Sequence, residues 1–306
     1  MRRKRIRKNA NANAEIITFL VCTVMLFTLL FLSSGKTFES ALTSFAAPHA
    51  QNTEIPKETS PVKVTLTPQE TPKSDVSKST GNITLNLSSR GEPTILIYHT
   101  HTLEAYTPTE KYPYTEHGGS WRTDDNTRNV VTVGELLAEQ LRSYGFNVIH
   151  DITNHEPPKL STAYERSLQT MESYKKKYPS LTMFIDLHRD ATGEDNTDDF
   201  CIIDGEKTAR VMFVVGTGKG ATGTGFSQTP DFDSNYSYAA SVTEYLRSVH
   251  PELVREIRVK TGRYNQHVSN CCMLIEIGHN MNTLEEALAA AKHVAAGIAN
   301  LASYET

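Results

Sequence analysis

Beyond residue 90, short apolar runs alternate with longer amphipathic segments, and this alternation restricts the chain to a narrow class of folds. Runs such as TILIY (94–98) and CMLIEI (272–277) have the length and the side chains of buried strands. Between such runs, apolar residues recur at helical spacing, as in 130–144. The pattern predicts an α/β domain with a mainly parallel sheet flanked by helices.

The same pattern places the individual elements. The predicted strands lie at 94–98, 146–149, 182–187, 210–215 and 272–277, and the predicted helices lie at about 130–144, 164–174, 235–249 and 284–301. Gly145 and Pro179 mark the ends of the first two helices. Thr283 and Glu286 form a capping-box pattern at the start of the last one.

The N-terminal end has the pattern of a membrane anchor. Six of the first ten residues are Lys or Arg, and 17 uncharged residues follow from Ile16 to Leu32. As a helix this run would measure roughly 25 Å, near the lower limit for crossing the hydrocarbon core. We expect a basic cytoplasmic tail at 1–14 and one transmembrane helix at 15–34, with the remaining chain outside the cytoplasm. A cleaved signal peptide is the alternative, and it leads to the same compartment.

Residues 35–90 have the composition of a disordered linker. Between Gln51 and Thr80 there is no aromatic residue, and Pro, Thr, Ser, Lys and Glu dominate. Such a segment buries too little apolar surface to offset its chain entropy. All 13 tyrosines and the only tryptophan come after residue 90, so we expect one folded domain at 91–306.

Charge and cysteine content argue against two classes of function. Without the six N-terminal charges, the formal net charge falls from −4 to −10, which is unsuited to nucleic-acid binding. The four cysteines include no CxxC spacing, so a cysteine-based zinc site is not expected. Spacing alone leaves the pairing of Cys201, Cys271 and Cys272 open.

Polar residues follow three of the predicted strands at the same end. His99 and His101 come directly after the first strand. His188 follows the run FIDL, and Glu276 lies within CMLIEIG. Since ligands bind at the carboxyl ends of the strands in open α/β sheets, we expect these side chains to meet in one site.

The residue types at this edge predict a catalytic metal site. In an extended segment His99 and His101 leave the same face, so either or both are candidate ligands, and Glu104 is a candidate oxygen ligand. Histidine and carboxylate ligands with an open position are typical of catalytic Zn²⁺. Glu276 is then either a ligand or the general base that acts on water. The opposing interpretation is that each histidine is an ordinary hydrogen-bonded core residue.

Motifs spread over the whole domain resemble those of one protein family. The strings YHTHTLEAYTP, FIDLHRD, RVMFVVG, RYNQ and LIEIG, followed by NTLEEA, resemble the stage II sporulation protein P family. The resemblance covers the chain from about residue 91 onward, together with the anchor-and-linker layout. This family consists of membrane-anchored cell-wall hydrolases of endospore-forming bacteria and is similar to zinc-dependent N-acetylmuramoyl-L-alanine amidases. The resemblance therefore implies a zinc amidase-like fold.

The resemblance also implies a set of zinc ligands. It favours His101 as the first ligand and keeps His99 as a candidate because the two residues are so close. It assigns His188 as the second ligand. Glu104 is the favoured third ligand, because the glutamate that the broader amidases carry near the start of their first helix is absent here, where the sequence reads DDNTRN (124–129).

Three further residues have expected or open roles. The resemblance makes Glu276 the catalytic residue. Arg189, directly after His188 in the FIDLHRD motif, is expected to bind substrate. His279 departs from the pattern that follows the catalytic glutamate, and its role is left open.

The implied activity is hydrolysis of the amide between the muramic acid lactyl group and the L-Ala of the stem peptide. Cleavage of peptide cross-links is left open. The expected cofactor is Zn²⁺ and the expected substrate is peptidoglycan. The implied partners are the lytic transglycosylase stage II sporulation protein D and the membrane protein stage II sporulation protein M, at the septal membrane during engulfment.

Two alternatives to this function stand. The first is another extracytoplasmic metallohydrolase, such as an amidohydrolase, in which His-x-His also follows a first strand. Its eight-stranded barrel normally needs about 250 residues, more than this domain offers. The second is an inactive module that binds the wall and recruits a partner, against which the joint presence of His101, His188 and Glu276 argues.

Overall fold

The computed structural model describes residues 91–193, 199–220 and 225–302, within which eight strands and four α-helices follow one another. The strands are β1 (Ile95–Tyr98), β2 (Val148–His150), β3 (Met183–Asp190), β4 (Phe200–Ile203), β5 (Glu206–Ala209), β6 (Val211–Gly216), β7 (Arg258–Lys260) and β8 (Cys271–His279). The helices are α1 (Val130–Ser143), α2 (Ala163–Lys177), α3 (Phe232–Val249) and α4 (Leu284–Ala299).

Helix ends follow local side-chain chemistry. The Asn129 side chain accepts a hydrogen bond from the Val131 amide at the start of α1. At the start of α4, Thr283 and Glu286 form the reciprocal capping box that the sequence predicts. The five predicted strands and four predicted helices are all present, with shifted bounds.

The sheet is mixed, so the expectation of a mainly parallel sheet is wrong. Its strand order is β2-β1-β3-β8-β6-β7. The pairs β1–β2, β1–β3, β3–β8 and β6–β7 are parallel, whereas β6 runs antiparallel to β8. The strands β6 and β7 therefore run opposite to the other four.

A hairpin explains the reversal of β6. A parallel neighbour needs a crossover connection, usually a helix. After β3 the chain instead forms the antiparallel pair β4–β5, whose two-residue turn is Asp204-Gly205, both at positive φ. The chain then enters β6 from the carboxyl edge, so that Val211 lies opposite Ile277.

Helices cover the two faces of the sheet unequally. One face packs against α1, α3 and α4 and forms the main core with residues such as Ile185 and Ile275. On the other face α2 packs Met171 against Phe184 and its neighbours. Over β6 and β8 that second face is covered by Tyr264, from the turn before β8. Side chains alternate along strands, so His188 lies on this second, less covered face.

The predictions for the N-terminal 90 residues concern a part of the chain that the structure does not describe. The basic tail at 1–14, the transmembrane helix at 15–34 and the linker at 35–90 lie outside the described residues. Among the helices of the described ranges, none is long and apolar enough to cross a membrane. For the described residues, the fold is therefore corrected to an α/β domain with a mixed sheet and without a membrane-spanning helix.

Candidate active site

Four of the predicted site residues come together at the carboxyl edge of β3 and β8. His101 and Glu104 lie in the turn that follows β1. His188 in β3 is the register partner of Glu276 in β8. Oε2 of Glu104 lies 3.2 Å from Nδ1 of His188. The ring centroids of His101 and His188 are 5.4 Å apart.

His188 is held between two carboxylates. Besides its contact with Glu104, its Nε2 lies 2.9 Å from Oδ1 of Asp186, although these two atoms are not aligned for a hydrogen bond. Burial lowers the pKa of the imidazole, but the charges of Asp186 and Glu104 outweigh burial and raise it well above its usual value. In the absence of another cation, His188 is therefore an imidazolium at neutral pH.

The contact between the two side chains lowers the pKa of Glu104, whereas it raises the pKa of His188. Burial alone would raise the pKa of its carboxyl, but the charge and hydrogen bond of His188 and the charge of Arg189 lower it to about 2. Its Oε2 also accepts a hydrogen bond from the Arg189 amide at 3.3 Å. Glu104 is thus an anion with an acceptor oxygen directed into the cluster.

Glu276 has the properties of a group that exchanges protons near neutral pH. Its Oε2 is buried and has no hydrogen-bond partner in the described structure. Burial, reinforced by the charges of Glu104, Asp190 and Asp186, raises its pKa to about 8, although His188 opposes the rise. A carboxyl group with a pKa near the working pH is suited to general acid–base catalysis.

His99 does not join the cluster. Its Nδ1 lies 2.9 Å from the Leu187 carbonyl, and its Nε2 lies 2.9 Å from Nε2 of His150. Burial, together with the neighbouring His150, lowers its pKa to about 3. The expectation that His99 and His101 leave the same face does not apply, because β1 ends at Tyr98 and the chain turns there.

Arg189 supports the loop around the site. Its Nε donates to the Ala105 carbonyl and its Nη2 to the Trp121 carbonyl, both at 2.9 Å. Its Nη1 lies 3.3 Å from the Asp190 carbonyl. The guanidinium is thus occupied by backbone carbonyls, and the structure gives it a supporting position rather than a free one.

Two tyrosines form an aromatic wall beside His101. The ring of Tyr164 lies edge-on to His101 at 5.7 Å and to Tyr264 at 5.8 Å. Tyr264 has a positive φ of 49° and packs on glycines: a Cβ on Gly262 would lie 2.6 Å from its ring. The turn therefore needs glycine at 262 to admit the tyrosine.

Three further residues line the site although their place in the sequence predicts no role for them: Asp186, Tyr164 and Tyr264. A usable signal existed for Asp186, because residues two apart on a strand share a face and His188 was already a candidate. No spacing rule links Tyr164 or Tyr264 to the site, since α2 and the turn before β8 bring them there.

His279 lies near the site but contacts a different carboxylate. Its Nδ1 accepts a hydrogen bond from the Met281 amide, and its buried Nε2 lies 3.4 Å from Oδ2 of Asp199. Burial lowers its pKa to about 4.

The three described cysteines, Cys201, Cys271 and Cys272, are buried free thiols.

The chemistry of the donor set fits zinc. Two imidazoles and a carboxylate are ligands that Zn²⁺ prefers, and Nδ1 of His101 is buried without a hydrogen-bond partner in the described structure. As these side chains are placed, no three His, Cys, Asp or Glu residues in the described ranges form a ready-made metal-binding group. The residue types therefore fit zinc, while Glu104 and His188 are hydrogen-bonded to each other in this arrangement.

Two comparisons with known proteins identify the same family. The family model for stage II sporulation protein P matches residues 26–299. The chain is 27% identical over 215 residues to the stage II sporulation protein P of Bacillus subtilis strain 168. The match covers 66% of this chain and 49% of that protein, so the chain spans about half the length of this relative.

Among solved structures, three amidases are similar, and the first two of them are N-acetylmuramoyl-L-alanine amidases. The catalytic domain of CwlV from Bacillus (Paenibacillus) polymyxa var. colistinus is 14% identical, with a TM-score of 0.39 over 68% of this chain and 95% of that chain. An amidase from Clostridium difficile 630 is 16% identical, with a TM-score of 0.40 over 69% and 95%. CwlD from Clostridioides difficile, in complex with the GerS lipoprotein, is 13% identical, with a TM-score of 0.41 over 68% and 98%. Because the family model matches most of the chain, this protein belongs to the stage II sporulation protein P (SpoIIP) family.

Proposed function

We propose that this protein is a zinc-dependent N-acetylmuramoyl-L-alanine amidase that remodels peptidoglycan during sporulation. Membership of the SpoIIP family supports the cell-wall role. The observation that carries the proposal is the meeting of His101, Glu104, His188 and Glu276 at one edge of the sheet. Two histidines, an ionised carboxylate and a second carboxyl of raised pKa are the groups that metal-assisted amide hydrolysis needs.

Three of these residues would hold the metal. His101, Glu104 and His188 are the proposed ligands. A bound Zn²⁺ acidifies water and polarises a carbonyl group. For His188 to bind through Nδ1, this atom must lose the proton that it shares with Glu104, so metal binding would release one proton from this pair.

Glu276 is the proposed general base and acid. It accepts a proton from the water that adds to the lactyl carbonyl carbon. It then delivers a proton to the alanine nitrogen as the C–N bond breaks, which leaves a carboxylate on the sugar and an amine on the peptide. Tyr164, whose pKa is raised well above its usual value by burial and by the charges of Asp186 and Glu276, stays a neutral phenol that can donate a hydrogen bond to substrate.

The site of action follows from the substrate. Peptidoglycan lies outside the cytoplasm, so we place the activity there, at the septal wall during engulfment. The proposed partners are the lytic transglycosylase stage II sporulation protein D and the membrane protein stage II sporulation protein M. Affinity purification of the full chain from sporulating cells tests both partners, and recovery of neither would reject them.

Product analysis tests the activity itself. The full chain loaded with zinc is incubated with purified peptidoglycan, and the products are analysed by mass spectrometry. Free stem peptides that begin with L-Ala show amidase activity, whereas shortened peptides still attached to sugars show cross-link cleavage. His188→Ala should release no stem peptides, and the exposed hairpin variant Glu206→Gln serves as the active control.

The outcome also separates the alternatives. Binding to peptidoglycan without release of peptides by the wild type would favour a recruitment module. Equal release by wild type and His188→Ala would show that the catalytic assignment is wrong.

A further inference from the structure

Asp186 and His188 are neighbours on one face of β3. Their side chains, two positions apart on the strand, point the same way and are 2% and 4% exposed. Oδ1 of Asp186 lies 2.9 Å from Nε2 of His188. The proposed reaction gives His188 a role but leaves this buried carboxylate without one.

Thr100, in the turn after β1, holds both oxygens of Asp186. Its backbone amide donates to Oδ1 at 2.8 Å, and its hydroxyl donates to Oδ2 at 2.7 Å. These two bonds fix the plane of the carboxylate. They also tie β3 to the turn that carries His101 and Glu104.

Two further side chains, Ser167 and Asn265, extend the hydrogen-bond chain that begins at Asp186 and Thr100. An ionised carboxylate only accepts, so the Thr100 hydroxyl proton is directed at Asp186. In its 2.9 Å contact with Ser167, Thr100 Oγ1 is then the acceptor, and the Ser167 hydroxyl has the Tyr164 carbonyl as a second, longer acceptor at 3.3 Å. Nδ2 of Asn265 in turn donates to Ser167 at 3.1 Å. The two donors of Thr100 stabilise the anion.

The two nitrogens of His188 therefore face different partners. Nε2 faces Asp186, whose carboxylate is held in place, while Nδ1 lies 3.2 Å from Glu104, a proposed ligand. A histidine ligand binds metal through one unprotonated nitrogen and donates from the other. Nε2 and Oδ1 of Asp186 are close but not aligned for a hydrogen bond, so the fixed anion favours a proton on Nε2 through its charge.

We propose that Asp186 is a positioning residue that keeps a proton on Nε2 of His188 and so makes Nδ1 the metal-binding atom. The inference rests on the proposed zinc-dependent function. Thr100, Ser167 and Asn265 keep the carboxylate oriented. Loss of such outer partners typically lowers metal affinity about 10- to 100-fold.

The test reads coordination directly, on the full chain. Zinc affinity is measured by competition with a chromophoric chelator. The ligating nitrogen is identified by ¹¹³Cd–¹⁵N coupling in protein with ¹⁵N-labelled histidine, in which cadmium replaces zinc. We expect the wild type to couple through Nδ1 of His188, and Asp186→Asn to lose about 10- to 100-fold in zinc affinity with weakened or mixed coupling.

Asp151→Asn is the matched control. Asp151 is also a buried carboxylate beside the end of a strand, and it accepts hydrogen bonds from Thr153 and Tyr174. It does not contact His188, so its variant should keep wild-type affinity and coupling. If Asp186→Asn fails to fold, Thr100→Val removes only the hydroxyl bond and should lower affinity several-fold, whereas Thr100→Ser should not.

Each outcome of these measurements either supports or overturns the positioning role of Asp186. Wild-type zinc affinity and Nδ1 coupling in Asp186→Asn overturn the positioning role, even if the enzyme releases stem peptides. Coupling through Nε2 in the wild type also overturns it. If Asp186→Asn weakens zinc as expected but the wild type releases no stem peptides, the proposed function fails and the role of Asp186 stands.

Discussion

His188 and Glu276 lie directly opposite each other on the neighbouring parallel strands β3 and β8. Paired residues on adjacent strands share a face, so the imidazole and the carboxyl point into the same space. This pairing places a proposed metal ligand beside the proposed proton-transfer group. It depends on the register of two strands that are about 90 residues apart in the sequence.

Glu276→Gln is expected to stop turnover and keep the metal. Loss of a general acid–base group typically costs about 10²- to 10⁴-fold in rate, while the amide keeps the size of the side chain. Stem-peptide release and bound zinc are measured on the same preparation, with Glu206→Gln as control. Loss of zinc from Glu276→Gln would mean that Glu276 is a ligand.

The raised pKa of Glu276 predicts a pH-dependent stability in the zinc-free protein. A carboxyl whose pKa is raised by folding, here from 4.5 to about 8, contributes fully below pH 4.5. That contribution is lost progressively as the pH rises from 4.5 to about 8, the window between the two pKa values. Glu276→Gln lacks this loss, so its free energy of unfolding should rise relative to wild type by up to about 1.4 kcal/mol per pH unit in that window. Urea unfolding with a chelator present, at pH 5 and pH 8, measures it, and a pH-independent difference would contradict the shift.

Arg189→Lys distinguishes support of the loop from substrate binding. A lysine cannot reproduce the fork that bonds the Ala105 and Trp121 carbonyls, so the free energy of unfolding should fall by about 1–3 kcal/mol. Chemical denaturation measures it, and Arg247→Lys, at a side chain that is 42% exposed, should change it by less than about 0.5 kcal/mol. Unchanged stability with a raised KM for peptidoglycan would instead support the sequence-based assignment to substrate binding.

Gly134→Ala should destabilise the protein although it lies in a helix. Helix propensity alone would favour alanine by about 1 kcal/mol. The added Cβ would lie 2.7 Å from the His99 ring and 2.8 Å from Nε2 of His150, and hydrogen bonds hold both rings. Overpacking of this kind costs about 1–3 kcal/mol, so the net change in unfolding free energy should be a loss.

A double-variant cycle identifies the cause. Adding Gly134→Ala to a His150→Ala background should cost less than adding it to the wild type, because one of the two crowded rings is gone. Equal costs in both backgrounds, or a gain in stability from Gly134→Ala alone, would show that the rings move aside freely.

The local elements of this domain were predictable because they depend on near neighbours. The periodicity of α1 and the capping box of α4 are written in segments of a few residues. The direction of β6 differs from the predicted parallel one, because the Asp204-Gly205 turn joins β4 and β5 in a hairpin. The short exposed strand β7 carries no apolar pattern from which it could be predicted.

The sequence by itself determined which residue types stand at the strand ends, and hence that His101, Glu104, His188 and Glu276 are candidates for one site. Only the tertiary structure decided how they are used. The turn after Tyr98 separates His99 from His101, and the backbone carbonyls around Arg189 occupy its guanidinium. The buried carboxylate of Asp186 lies 2.9 Å from one nitrogen of His188, Nε2. These outcomes depend on packing between distant segments, whose register and direction no local pattern encodes.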